Sequence, residues 1–256
     1  MRYNLFLKRK ENPVAFDVDI IRTGSSGNCS VIDGSIVIDL GIRAKDAEAL
    51  VTRYPSLCAV LITHRHADHV NVAALRRLLK LRPYLARQTY MHPSTLKWCA
   101  DALGEGSMES ISLSTSGRSL GYDATSTLRT HDGEYIVSAF ECPHDVDNDG
   151  FTLTSPDGSR LIWATDTMSL DLAPAGLYDC ICVEGNYDPT RLDVALADPT
   201  VSMRAEANLR HLSVTAFEDF CRMRGTADAH FYQLHMSHDF GRVSDLSEYR
   251  YDEQDV

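Results

Sequence analysis

The segment Leu61–Val70, LITHRHADHV, places three histidines and an aspartate within six residues. His64 and His66 are separated by one residue, and Asp68 and His69 are adjacent. In an extended segment, positions i and i+2 project to the same side. Asp68 and His69 then fall on the tight turn into the next element. Neutral imidazoles and a carboxylate together suit zinc, manganese or iron. A single histidine reads as a structural residue; four such groups crowded together read as metal ligands. The flanks support this placement. CAVLIT (Cys58–Thr63) is a short apolar run, as expected of a buried strand. VAALRRLLKL (Val72–Leu81) has helical spacing, with Ala74, Leu75, Leu78 and Leu79 on one face. The four cations of LRRLLKLRP (Arg76, Arg77, Lys80 and Arg82) form the solvated face of that helix.

Working outward, strands and helices alternate. FDVDIIRTG (Phe16–Gly24) reads as a strand, GSSGN (Gly24–Asn28) as a turn, and CSVIDG with SIVIDLG as a hairpin bent at Gly34. AKDAEALVTRY (Ala44–Tyr54) reads as a helix stopped near Pro55. TYMH (Thr89–His92) is a strand, and PSTLKWCADAL (Pro93–Leu103) a helix ending at Gly104. The stretch from about Ile111 to Trp163 reads as strand-rich, and DCICVEGN (Asp179–Asn186) as another buried strand. Polar helical segments follow. SVTAFEDFCRMR (Ser213–Arg224) is a helix capped by Ser213, and HFYQLHMS (His230–Ser237) a last strand. The order predicts layered α/β architecture, with sheets inside and helices outside. Residues 1–256 are expected to form one domain, with an acidic tail frayed from about 244 to 256.

More candidate ligands recur at strand ends, where a sheet presents side chains to one rim. His144 follows VSAFEC, Asp166 follows LIWAT, His211 precedes a helix, and His235 closes the last strand. His238 competes with His235 from three positions away. His92 reads as structural, His131 as a turn residue and His230 as the start of a strand.

Composition sets limits. A chain of 256 residues that is 44% hydrophobic can bury a full core. No apolar run is long enough to span a bilayer, and the apolar patch near the N-terminus is too short for a secretory signal. A cytoplasmic protein is expected. The seven cysteines are odd in number and form no CxxC pair, so they read as small buried hydrophobes rather than a disulfide framework. Cys180 and Cys182 should face one side of a strand. The net charge of −11 counts against a broad electrostatic track for a polyanion, though not against a local basic groove.

The H-x-H-x-D-H loop His64–His69 resembles the signature of the metallo-β-lactamase fold superfamily. TGSSGNCSVI, PHD around His144, ATDT around Asp166, and the paired HLS and HMS segments resemble its YycJ/WalJ-like exonuclease group, related to ribonuclease Z-type phosphodiesterases. The resemblance implies a four-layer αβ/βα sandwich, with two mixed sheets flanked by helices. It implies two divalent ions, zinc or manganese. His64, His66 and His144 would hold one ion, Asp68, His69 and His235 the other, and Asp166 would bridge them. His211 resembles the extra histidine of phosphodiesterase members, and Glu184 the acid that orients it. The loop Gly24–Asn28 would lie near the rim, where Ser26 and Asn28 either hold a phosphate or serve the turn.

The expected reaction is hydrolysis of a phosphodiester by a metal-activated hydroxide, with Asp68 orienting the water and His211 protonating the leaving oxygen. DNA or RNA exonuclease activity is expected first, then phosphodiesterase activity on cyclic or other small nucleotides. A non-catalytic metal-binding module is the third reading. A homodimer is compatible with the resemblance.

Overall fold

The structure, a computed structural model, describes residues 15–248. The first half contains β1 (Val18–Arg22), β2 (Cys29–Ile32), β3 (Ile36–Ile38), α1 (Ala44–Arg53), β4 (Ala59–Ile62) and α2 (Val72–Leu81). A 3-10 turn (Pro83–Gln88) then leads to β5 (Thr89–Met91), α3 (Pro93–Ala102), α4 (Met108–Ser116) and β6 (Arg118–Ser119). The second half opens with β7 (Thr125–Thr130), β8 (Gly133–Glu141), β9 (Asp149–Thr154), β10 (Arg160–Ala164) and β11 (Tyr178–Glu184). It closes with α5 (Pro189–Leu196), α6 (Ser202–Asn208), α7 (Val214–Arg224) and β12 (Gly225–Leu234).

The strands form two six-stranded sheets, ordered β1-β2-β3-β4-β5-β6 and β12-β11-β10-β9-β8-β7. Both are mixed. The first is antiparallel through β1, β2 and β3 and parallel from β3 to β6. The second is parallel across β10, β11 and β12 and antiparallel from β10 to β7. Alternation within the strands builds the layers. Val37, Val60 and Ile62 face Leu50, Leu75 and Leu78 of α1 and α2. Their neighbours Ile38 and Leu61 meet Leu161, Trp163, Cys180 and Cys182 of the second sheet. The opposite face of that sheet, with Ile162, Ile181 and Val183, packs on Phe217 and Phe220 of α7. Sheets covered on both faces need strands that are apolar throughout, which is why CAVLIT and DCICVE lack alternation. The four-layer sandwich is the architecture expected above.

Local chemistry sets the element ends. Asn71 Oδ1 accepts from the backbone N–H groups of Ala73 and Ala74 and caps α2 directly after the histidine loop. Ser213 Oγ accepts from Ala216 N and caps α7, as predicted. His92 accepts from Ser94 N and caps α3, a structural role. His131 sits in the turn between β7 and β8. Cys180 and Cys182 do share a side of β11, with sulfurs 3.7 Å apart.

Three expectations are corrected. Residues 111–116 are helical, in α4, rather than strand. Ser107 caps that helix, Leu113 is buried, and Ser110 Oγ donates to Ala100 O of α3. The last strand begins at Gly225, not His230, because it pairs in parallel with β11 from Tyr178 onward. It stops at Leu234, so His235 stands just beyond it. Residues 244–248 are also not frayed. Ser244 N donates to Gln233 Oε1, Gln233 N to Ser247 Oγ, and Glu248 N to Phe231 O. The rest of the expected tail, 249–256, lies outside the described residues.

Candidate metal centre

The sheet topology brings one set of strand ends to a single rim. β3 exits at Asp39, β4 at Thr63 and His64, β8 toward His144, β10 at Thr165 and Asp166, β11 at Glu184, and β12 at His235. β2 enters there, just after Asn28. Residues from both sheets therefore meet at one place.

On one side of the rim three imidazoles converge. His64 Nε2 lies 3.1 Å from His66 Nδ1, and His144 Nε2 lies 3.3 Å from the same atom. Each contact is a hydrogen bond when one of its two nitrogens carries the proton, and with the inward nitrogens deprotonated the same three rings offer three ligand atoms to one cation. Burial first, and then the neighbouring His69 charge, pushes His64 well below the usual histidine range. The neutral ring that results is the form a metal needs. Thr63 Oγ1, 3.0 Å from His64 Nδ1, turns Nε2 inward.

On the other side the groups are mixed. His69 Nε2 lies 2.6 Å from Asp166 Oδ2 and 3.6 Å from Asp68 Oδ2. His235 Nε2 lies 3.5 Å from Asp166 Oδ1 and 3.8 Å from Asp68 Oδ2. Asp166 thus stands between the two groups. Possible ligand atoms fall into close sets: His64, His66 and His144; Asp68, His69 and His235; and His64, His69 and Asp166. A further set joins Asp166 and His235 to Glu184 and His211. His235 Nε2 is buried without a hydrogen-bond partner. Orphaned imidazole nitrogens beside carboxylates fit a pair of divalent cations.

Backbone strain accompanies this placement. Asp39, Asp166 and His235 have φ of 61°, 52° and 49°. Left-handed backbone is costly away from glycine and concentrates at functional sites.

His211 and Glu184 adjoin the same rim. Glu184 is fully buried at the end of β11. Its Oε1 lies 3.0 Å from His211 Nδ1 and accepts from Leu212 N at 2.8 Å, while its Oε2 accepts from Asp166 N. The His211 ring stacks on His235, with centroids 5.2 Å apart and planes at 21°. Burial disfavours a charge on His211, but the Glu184 carboxylate, helped by Asp166 and Asp68, raises it to about 9. His238 is 72% exposed, pairs with Asp239 and stands outside these sets.

The turn Gly24–Asn28 packs against the histidine loop. Asn28 Oδ1 accepts from Gly24 N, and its Nδ2 donates to Gly24 O and Asp68 O and lies 2.9 Å from His69 Nε2. The Asn28 amide is thus taken up by the turn and the loop beside it, while Ser25 and Ser26 are exposed.

Sequence reading missed the supports. Asp39 Oδ2 lies 2.7 Å from His69 Nδ1, and Asp39 Oδ1 accepts from Thr63 N. Asn148 Nδ2 donates to the carbonyls of Thr165 and Asp166, and Asn186 Nδ2 to that of His235. The available signal for Asp39 was an acid directly ending the apolar strand SIVI.

Comparison with known proteins gives the family and the fold. Residues 33–221 match the family described as beta-lactamase superfamily domain. The exodeoxyribonuclease WalJ of Streptococcus pneumoniae, from strains D39 and R6, is 26% identical over 236 residues, spanning 88% of this chain and 82% of WalJ. Human short-form tRNase Z superposes with a TM-score of 0.55 at 14% identity, over 86% of this chain and 92% of that one. A long-form RNase Z from yeast gives a TM-score of 0.60 at 11% identity, over 95% of this chain and 40% of that one. These structural likenesses are at the level of the fold.

Proposed function

Because the chain belongs to the beta-lactamase superfamily, we propose that it is a metal-dependent phosphodiesterase, acting as an exonuclease on DNA or RNA. The observation that carries the reading is the His211–Glu184 contact of 3.0 Å beside the ligand set. The similarity to WalJ supports the same reading.

In this proposal His64, His66 and His144 would hold one divalent ion and Asp68, His69 and His235 the other, with Asp166, which lies between the two sets, available to both. Imidazole and carboxylate donors take zinc or manganese. When bound, such ions acidify a water and neutralise phosphate charge. The protein's own part is positioning and proton transfer. Asp68, with its side chain 28% exposed, accepts from the attacking water, whereas Asp166 is too enclosed for that task. Glu184 beside Nδ1 keeps His211 Nε2 turned toward the leaving oxygen. An alkoxide leaving group needs that proton, whereas a thiolate leaves without it. This is why a second histidine–acid pair favours phosphodiesters over thioesters. Ser26 is the contact we assign to substrate from the exposed turn, and Asn28 holds that turn in place. The cytoplasm is the compartment we propose.

A second reading, a phosphodiesterase of cyclic or other small nucleotides, is favoured by the net charge of −11. Small substrates need no long basic track. Purified protein loaded with zinc or manganese, incubated with end-labelled single- and double-stranded DNA, RNA and cyclic nucleotides, tests both. Release of mononucleotides from a labelled end supports the exonuclease. Turnover of cyclic nucleotides alone transfers the assignment to the second reading.

A further inference from the structure

A cavity of about 450 Å³ opens beside His144, lined by Arg65, Ser94, Tyr122, Glu141, Asp145 and Asp147. Its size lies within the roughly 300–1,000 Å³ of small-molecule sites. Arg65 is the second residue of the HRHADH loop, so the cavity shares a wall with the proposed metal centre. Asp145 marks the junction: its Oδ1 lies 3.1 Å from His144 Nε2 and 3.5 Å from His66 Nε2.

The lining decides what the cavity can hold. Three carboxylates face a single guanidinium. A second phosphate seated deep in this cavity would be repelled. A neutral heterocycle with N–H donors would instead find acceptors in Asp147 and Glu141 and a flat partner in Tyr122. The Tyr122 ring is braced by His92, at a centroid distance of 5.0 Å, and its hydroxyl oxygen accepts from Asn148 N. Arg65 is exposed at the edge of the cavity, where a phosphate linking two nucleotides would pass.

We infer that this cavity is the subsite for the nucleobase next to the scissile phosphate, with a preference for bases that present an amino group. The inference rests on the phosphodiesterase reading and adds a specificity to it. Carboxylates accept from the cytosine amino group, and stacking on an aromatic ring is open to any base. Asp147 is tied down by Ser94 Oγ, which donates to its Oδ2 at 2.5 Å, so its carboxylate is held in position.

The experiment compares bis(p-nitrophenyl) phosphate, which has no base, with cytosine and thymine (or uracil) dinucleotides, using metal-loaded enzyme. Arg65→Ala and Asp147→Asn are the variants; asparagine keeps an acceptor for Ser94. The expected result is a fall of about tenfold or more in the ratio of dinucleotide to bis(p-nitrophenyl) phosphate kcat/KM. Asp147→Asn should also erase the preference for cytosine over thymine. An unchanged ratio in both variants, with no base preference in the wild type, overturns the subsite and leaves the phosphodiesterase reading intact. If neither substrate is cleaved, the phosphodiesterase reading is what fails. Calorimetric titration with deoxycytidine and thymidine monophosphates then decides the subsite. Weaker cytidylate binding by Asp147→Asn supports it, and equal binding of both nucleotides by wild type and variant overturns it.

Discussion

Asp39 Oδ2 lies 2.7 Å from His69 Nδ1, and neither side chain reaches solvent. The carboxylate fixes which nitrogen of His69 faces Asp68 and Asp166. A carboxylate behind a ligating histidine sets its tautomer, and losing it typically costs 10–100-fold in metal affinity. Asp39→Asn should therefore weaken binding about tenfold and Asp39→Ala about a hundredfold, although neither removes a proposed ligand. Competition with a chromophoric chelator measures this. Wild-type affinity in Asp39→Ala would make the pair a folding element only.

The proposed division between metal ligands and proton donor makes opposite predictions for neighbouring residues. His211→Ala should keep near-normal metal content and lose about 10²–10⁴-fold in turnover. His64→Ala and Asp166→Ala should lose metal itself. Elemental analysis of the same preparations used for kinetics separates the two classes. Depleted metal in His211→Ala would move His211 into the ligand set and displace His235.

Which features the sequence revealed follows from where their interactions lie. The HRHADH loop was legible because its ligands are neighbours in the chain. The buried strands were legible because burial on both faces demands unbroken apolar runs such as AVLI and CICV. The supports were not. Asn148 acts on a backbone carbonyl 18 residues away, and Asn186 on one 49 residues away. Nothing local marks either asparagine. Helix α4 was misread for a related reason. SISLSTS has no apolar stripe, and what holds it helical is a serine cap and one buried leucine. The join between the turn and the histidine loop was likewise hidden, since its partners lie 40 residues apart: Asn28 N and Asn28 Nδ2 both donate to Asp68 O.

The His211–Glu184 contact also predicts a pH dependence of the metal-free protein. His211 has its pKa raised in the fold, to about 9 from 6.5. A raised value means that the folded state binds the proton more tightly than the unfolded chain. The stability this contributes is fully present below about pH 6.5 and is lost as pH rises through about 9. Chelator-treated wild type and His211→Gln should therefore differ most in Tm near pH 6, and the gap should close toward pH 9.5. A gap that widens with pH would contradict the assigned sign.

Gly41 provides a steric test of how closely the turn and the histidine loop are pressed together. A Cβ built there would sit 1.7 Å from Asp68 O and 2.7 Å from Asn28 N. Both obstacles are backbone, so no rotamer change relieves them. Gly34 is the control. It has φ of +61° and open space around its Cβ, so Gly34→Ala meets only the left-handed penalty of about 1–2 kcal/mol. Gly41→Ala should cost more than that, and it should do so by moving Asp68 and His69. The expected outcome is a large fall in Tm together with loss of roughly half the bound metal, because the proposed Asp68–His69–His235 set is the one disturbed. Gly34→Ala should lower Tm modestly at full metal content. Equal metal content in both variants would show that the loop can shift without its ligands following, and would uncouple the turn from the centre.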